Sequence, residues 1–290
     1  FKFIMINKGI ILAGGSGTRL SPLTKAVNKQ LLPIYDKPLI FYPLSILMLA
    51  NIKNILIIVN PGQIDNFKSL LGDGKRFGIK IQYKVQKKPR GLADAFILGK
   101  DFIRKDNVAL ILGDNFFYGQ SLTDKLEKSL SHNNGARIFL KNVKTPESFG
   151  VAKIINNKIE KIIEKPINFI SNYAITGLYF FDNKVVNYAK KLKPSKRGEI
   201  EITDILNIYK NNESLHYEHI GRGAIWSDAG KIEDMTNVSA FVESVEKVQS
   251  IKIACLEEIA LSKEWINKKT ISQNINFYGN CDYSNYLKKL

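Results

Sequence analysis

The stretch "GIILAGGSGTRLSPLT", residues 9–24, decides how the chain is read. Its first five residues, Gly9-Ile10-Ile11-Leu12-Ala13, are apolar without alternation, as in a strand buried on both faces. They run straight into Gly14-Gly15-Ser16-Gly17-Thr18-Arg19. Glycines let backbone N–H groups turn outward and approach an anion closely. Ser16 and Thr18 add hydroxyl donors, and Arg19 adds a forked cation suited to phosphate. A plain tight turn is the competing reading of this loop. Two familiar phosphate loops do not fit. No Gly-Lys-Ser/Thr follows, and Leu20 stands where the dinucleotide fingerprint needs its third glycine. An arginine inside the loop points to a free triphosphate, whose charge exceeds what N–H groups alone neutralise.

Outward from this loop, strand-like and helix-like segments alternate. Residues 54–60 (NILIIVN) and 107–115 (NVALILGDN) repeat the short apolar strand, and 79–86 (IKIQYKVQ) alternates. Residues 38–51, 64–71 and 91–102 carry helical patterns between them. Such order implies crossover connections and a mainly parallel sheet with helices on both faces. Its ligands are expected beyond the carboxyl ends of the strands, where the glycine loop falls. After Gly135 the texture turns mixed, with a hairpin expected around Asn156-Asn157, and from Lys231 helical patterns dominate as far as Leu256–Ile266.

Composition narrows the function classes. At 290 residues with 44% hydrophobic content, the chain can build one large α/β domain or a domain with an appendage. The formal charge is +16, yet the lysines are scattered among Ile and Asn, so a nucleic-acid stripe is not expected. A basic field would still draw in phosphorylated substrates. The richest apolar run, residues 38–50, is too short to span a membrane and contains Pro43. FKFIMIN lacks the length and small-residue site of a secretory leader, and the two cysteines fit a reduced cytoplasm. His216 and His219 lie three apart with no ligand set completed around them.

The loop, followed by "NKQLLPIYDKPLIFYPLSILMLA", resembles the sugar-phosphate nucleotidyltransferases. The likeness continues through LGDNFFYG, EKP, SNYAITGLYFFD, RGEIEITDIL, GRGAIWSDAG and CLEEIA, and covers nearly the whole chain from Lys8. KQLLPIYDKP and SNYAITGLYFFD favour the thymidylyltransferase branch. The resemblance implies an α/β fold: a Rossmann-like nucleotidyltransferase core with a mostly parallel mixed sheet, a sugar-binding portion and C-terminal helices. It divides the chain into a core at 1–230, nucleotide-binding over 8–135 and sugar-phosphate-binding over 136–230, and a helical region at 231–290 packed on the core or on a partner. The implied reaction is Mg²⁺-dependent: dTTP plus glucose 1-phosphate gives dTDP-glucose and pyrophosphate. A uridylyltransferase on the same fold is the nearest alternative and a nicotinamide-dependent oxidoreductase a remote one. A cytoplasmic homo-oligomer, commonly a tetramer, is also implied, with no nucleic-acid or membrane partner.

The chemistry needs no serine nucleophile and no general base, because a sugar-phosphate oxygen is already an anion that can attack the α-phosphorus in line. The protein must align reactants and neutralise charge. Asp114, just past the apolar strand, is well placed to hold Mg²⁺, and Asp228 is the second metal ligand by resemblance. The resemblance assigns Arg19 and Lys29 to the triphosphate and Lys165 to the sugar phosphate, the three making the catalytic set. It assigns nucleotide contacts to Gly14, Gly15, Ser16, Gly17, Thr18, Gln30, Gln86 and Gly91, and sugar contacts to Asn115, Gly150, Glu164 and Ile175. Side-chain amides such as Gln30 and Gln86 can match the acceptor–donor–acceptor edge of thymine or uracil. Arg90 departs from the family, which usually has an acid before that glycine.

Overall fold

A computed structural model describes residues 6–15, 17–130 and 134–290. Among them the strands are β1 (Lys8–Ala13), β2 (Pro33–Ile34), β3 (Lys37–Pro38), β4 (Asn54–Val59), β5 (Lys80–Val85), β6 (Val108–Leu112) and β7 (Phe116–Gly119). There follow β8 (Ala136–Asn142), β9 (Gly150–Ile155), β10 (Lys158–Glu164), β11 (Tyr173–Phe181), β12 (Leu215–His219) and β13 (Ala224–Ser227). Nine of these form one sheet with the path β10-β9-β11-β6-β1-β4-β5; off this path β8 pairs with β11, and β12 pairs with β8.

The first half of the sheet is parallel, as the apolar runs predict. β1 lies between β4 and β6, with Ile10 level with Leu56 on one side and Leu110 on the other. Successive residues feed two separate cores. Ile11, Ala13, Ile57 and Val59 join one, while Ile10, Leu56, Ile58 and Leu110 join the other. That is why these strands show no polar alternation: both faces are covered. Burying one such isoleucine contributes about 1.5–3 kcal/mol. The helix Phe41–Leu49 is apolar nearly all round because it is enclosed, and Pro43 is tolerated in its first turn.

The second half is mixed: β12 runs parallel to β8, and the remaining pairs are antiparallel. β11 runs antiparallel to β6 and to β8, with a register shift between Ile175 and Tyr179. β9 and β10 form the expected hairpin, with Asn156 and Asn157 both at positive φ, 48° and 58°, as its two-residue turn requires. The helical pattern over 91–102 is two helices, Asp94–Leu98 and Lys100–Ile103, parted at Gly99. The pattern at 256–266 is helical only to Ser262, and two further helices follow, Lys268–Tyr278 and Asp282–Leu287.

The end of the chain closes back on its beginning. Leu256 and Ala260 enter the same core as Phe41 and Leu44. Arg76 lies against the rings of Phe277 and Phe77, its guanidinium carbon 4.0 and 4.5 Å from their centroids. The long helix Ile232–Gln249 packs Met235, Val238 and Val242 beneath Leu20, directly after the glycine loop. Glu246 of this helix pairs with buried Lys37 at 2.8 Å, fastening it to the β2–β3 hairpin. Among the described residues no helix is long and apolar enough to cross a membrane.

Candidate active site

The parallel strands end on one side, and so does the seam between β6 and β11. A cleft of about 650 Å³ opens there. It brings together eight residues singled out from the sequence: Arg19, Asp114, Asn115, Gly150, Glu164, Lys165, Ile175 and Asp228. They come from six separated stretches of chain.

The glycine loop leaves β1 beside this cleft: Arg19 lines it, whereas Gly14, Gly15, Gly17 and Thr18 do not. Gly15 and Gly17 have positive φ, 98° and 57°, which disfavours side chains at both positions. Asn60, just past β4, clasps the loop from both sides. It accepts from Gly15 N at 3.1 Å and donates to Gly15 O at 2.7 Å. Thr24 Oγ1 donates to Gly17 O at 2.8 Å. Thr18 and Arg19 follow on a short exposed turn. Ser16 lies outside the described residues. The Arg19 guanidinium reaches the turn after β13, 3.1 Å from where a Cβ on Gly230 would stand.

Lys29 is buried, and its ammonium contacts Asp114 Oδ2 at 2.5 Å. Asn115 has no exposed surface. Its Oδ1 accepts from Trp226 Nε1 at 2.6 Å and Gly177 N at 3.1 Å, so its amide hydrogens face Asp114 Oδ1 at 3.0 Å. Asp114 is thus held by a cation on one oxygen and an amide on the other.

Asp228 follows β13 in a turn where Ala229 adopts φ 40°, a strained conformation for alanine. Burial pushes the Asp228 carboxyl above the usual range, as do the nearby charges of Asp114 and Asp234, while Lys29 and the Gly230 N–H oppose this. Two carboxylates therefore share one partly enclosed space with incomplete compensation, the condition a divalent cation relieves. Among the described residues no three of His, Cys, Asp and Glu come close enough to hold a metal alone. The pair fits an ion whose remaining ligands are water and phosphate oxygens. His216 and His219 lie on β12, outside this cleft.

The opposite wall is the mixed half of the sheet. Glu164 ends β10, and Lys165 turns out of it at φ 43°, its N–H bonded to Phe149 O at 2.9 Å. A Cβ on Gly150 would stand 3.2 Å from Glu164 Oε2 and 3.7 Å from Ile175 Cδ1, so these three residues form one surface. Burial and the neighbouring Glu201 raise the Glu164 carboxyl, while Arg197 and Lys165 oppose the rise. Arg197 grips Glu201 through two contacts of 2.8 and 2.9 Å and reaches Glu164 at 3.8 Å.

Lys29, Gln30, Gln86 and Gly91 stand beside the cleft and not in its lining. Gln30 is buried, and its Oε1 has no partner among the described residues. Gln86 follows β5 and places its Oε1 2.8 Å from a Cβ built on Gly14. Gly91, at φ 95°, leaves room for Ile200, whose backbone nitrogen would meet a Cβ at 2.6 Å. The residues before it, Arg90 and its carbonyl, are tied to the same Ile200 N at 2.7 Å. Sequence reasoning did not single out Trp226, Arg197, Glu201, Thr203, Asn60 or Asp94. The signal for the first four was the blocks "GRGAIWSDAG" and "RGEIEITDIL" that contain them.

A glycine loop beside paired carboxylates at the ends of a parallel sheet is an arrangement that suits nucleotidyl transfer. The nucleotidyl transferase family profile matches residues 8–245, and the chain belongs to that family. Among its relatives, it is 50% identical over 284 residues to the glucose-1-phosphate thymidylyltransferase of Neisseria meningitidis serogroup A, covering 98% of this chain and 99% of the relative. It is 43% identical to the protein of that name from Mycobacterium tuberculosis, covering 98% of each chain. A Bacillus anthracis crystal structure described as a glucose-1-phosphate thymidylyltransferase in complex with sucrose superposes with TM-score 0.76 at 43% identity, covering 81% of this chain and 94% of that one. A UDP-glucose pyrophosphorylase bound to UDP-glucose superposes at 0.72 with 25% identity, over 83% of this chain and 99% of that one.

Proposed function

We infer that the chain transfers a thymidylyl group from dTTP to glucose 1-phosphate, giving dTDP-glucose and pyrophosphate. The observation that carries this reading is the single cleft in which the glycine loop's Arg19, the Asp114–Asp228 pair and Lys165 converge. It supports a nucleotide half over residues 8–135 and a sugar-phosphate half over 136–230, with the helices of 231–290 bracing the first.

In this reading the N–H groups of Gly14, Gly15 and Gly17, with Ser16, Thr18 and Arg19, grip the triphosphate. Arg19 steadies the leaving pyrophosphate. Gln30, Gln86 and Gly91 meet the base. Asn115, Gly150, Glu164 and Ile175 orient the sugar, and Lys165 draws the sugar phosphate toward the α-phosphorus. The attacking oxygen arrives as an anion, so no residue removes a proton; alignment and charge neutralisation supply the rate. Asp114 and Asp228 would hold Mg²⁺, which when bound offsets phosphate charge. Lys29 then trades its contact with Asp114 for the triphosphate. Asn115 keeps the Asp114 carboxylate from rotating. We propose a cytoplasmic homotetramer, as the family resemblance implies, and light scattering tests its oligomeric state.

The reading is tested by measuring pyrophosphate release with glucose 1-phosphate and either dTTP or UTP, with Mg²⁺ or with EDTA. Mg²⁺-dependent release favouring dTTP is expected. A preference for UTP, or release that needs no glucose 1-phosphate, contradicts it. A methyl group alone gives selectivity of roughly 10- to 200-fold, so dUTP serves as the control that separates the base methyl from the ribose hydroxyl.

A further inference from the structure

Of the buried acids that the mechanism leaves unused, Asp94 stands nearest to a residue it does use, Gln86. Asp94 begins the helix Asp94–Leu98 and is only 3% exposed. Its Oδ2 accepts from Gln86 Nε2 at 3.0 Å, a contact between two buried side chains. The exposed Arg90 guanidinium approaches its other oxygen at 3.9 Å, so its charge is not left alone.

We propose that Asp94 is a specificity-positioning residue: it fixes which end of the Gln86 amide faces the nucleobase. The proposal rests on the reading that Gln86 meets the base. A carboxylate only accepts, so the amide must turn its NH₂ end toward Asp94. Flipping the amide would set two oxygens against each other. The Gln86 carbonyl oxygen is then the end beside the glycine loop, 2.8 Å from a Cβ built on Gly14. Gly14 has no side chain to block that oxygen.

An oxygen presented there asks for an N–H donor. Thymine and uracil offer N3–H. Cytosine carries a lone pair at N3 and would meet the oxygen with like polarity. Asp94 therefore selects for a base protonated at N3, without touching it. It does not distinguish thymine from uracil. The alternative is local: an acid in the first turn of a helix is favoured by the helix dipole whatever Gln86 does.

The test compares dTTP with dCTP in wild type, Asp94→Asn and Asp94→Ala. It measures kcat/KM with glucose 1-phosphate, and equilibrium binding of each nucleotide without the sugar phosphate. Thermal midpoints report whether the variants fold. Asparagine can satisfy the amide in either orientation, and alanine leaves it free to turn. In both variants the dTTP-to-dCTP ratio is expected to fall about tenfold, the worth of one well-placed hydrogen bond. A ratio within twofold of wild type, or equal loss for both nucleotides, overturns the proposal and leaves Asp94 a helix-end residue. If wild type discriminates in binding yet transfers nothing to glucose 1-phosphate, the reaction assigned above fails while the proposal still stands on the binding ratio. A wild type that binds neither nucleotide overturns both.

Discussion

The two walls of the cleft are built differently. The side at the ends of β1 and β4 enters the cleft through Arg19 and is otherwise backbone beside it: Gly14, Gly15 and Gly17 in a loop clasped by Asn60. Its donors are fixed by φ angles and need little side-chain ordering. The wall on β9, β10 and β11 is made of crowded side chains, with Glu164, Glu201 and Glu199 around Arg197. There each charge is set by its neighbours, as the raised Glu164 carboxyl shows. The Asp114–Asp228 pair stands between them. A backbone wall suits a ligand whose shared feature is a chain of phosphates. A side-chain wall suits a sugar, which differs from its competitors only in hydroxyl placement.

The comparison breaks most readily at the seam. Asp114→Asn or Asp228→Asn is expected to lower kcat by about a hundredfold or more, since each removes a carboxylate that would hold the cation offsetting the phosphate charge. Steady-state turnover at saturating Mg²⁺ measures it. Near-normal rates would remove the metal role. Asp228→Asn is expected to spare the fold, because burial already disfavours the carboxylate there.

The side-chain wall is tested next by Lys165→Ala. Loss of a hydrogen bond to a charged group costs about 1.5–3 kcal/mol, or roughly ten- to hundredfold in kcat/KM. It is expected to fall on glucose 1-phosphate, with the KM for dTTP within twofold of wild type. Equal loss on both substrates would erase the division between the walls.

A smaller effect is expected from Gly177→Ala. Its new Cβ would stand 2.5 Å from Asn115 Oδ1, in a buried site with little room to give. Overpacking of this kind costs about 1–3 kcal/mol. Thermal or urea unfolding reads the loss, and kcat should fall with it as the Asn115 bond to Asp114 is displaced. Unchanged stability would show that Asn115 is free to move.

The smallest effect concerns Glu164. Its folded carboxyl titrates above the unfolded range because of burial and Glu201. A raised carboxyl contributes its stability below the unfolded value near 4.3 and loses it as pH rises through the folded value. Glu164→Gln should therefore unfold at higher denaturant than wild type at neutral pH, and this gain should shrink toward zero in acid. A gain that grows as pH falls would reverse the sign.

The difference between the walls also governs what the sequence discloses. The parallel strands are legible because both faces are buried, so Ile10, Ile11 and Leu12 carry no polar interruption. The glycine loop is legible because its conformation demands glycine. Asn156-Asn157 announces its own turn. Asn115 is different. Its meeting with Trp226 spans 111 residues, and no local pattern predicts it. Asn60 likewise reaches the loop across 45 residues from a position that resembles any strand end. Asp94 lies eight residues from Gln86, yet its approach depends on how the chain folds between β5 and the next helix. The mixed half shows in its broken alternation after Gly135, but its register shift at Ile175–Tyr179 follows from packing that no alternation encodes.

A crystal structure with dTTP, glucose 1-phosphate and Mg²⁺ would test the account most directly. It should show the triphosphate along Gly14–Arg19, the sugar phosphate beside Lys165, and one cation touching both Asp114 and Asp228. A nucleotide bound away from that loop, or the two aspartates holding no ion while both substrates are in place, would contradict it.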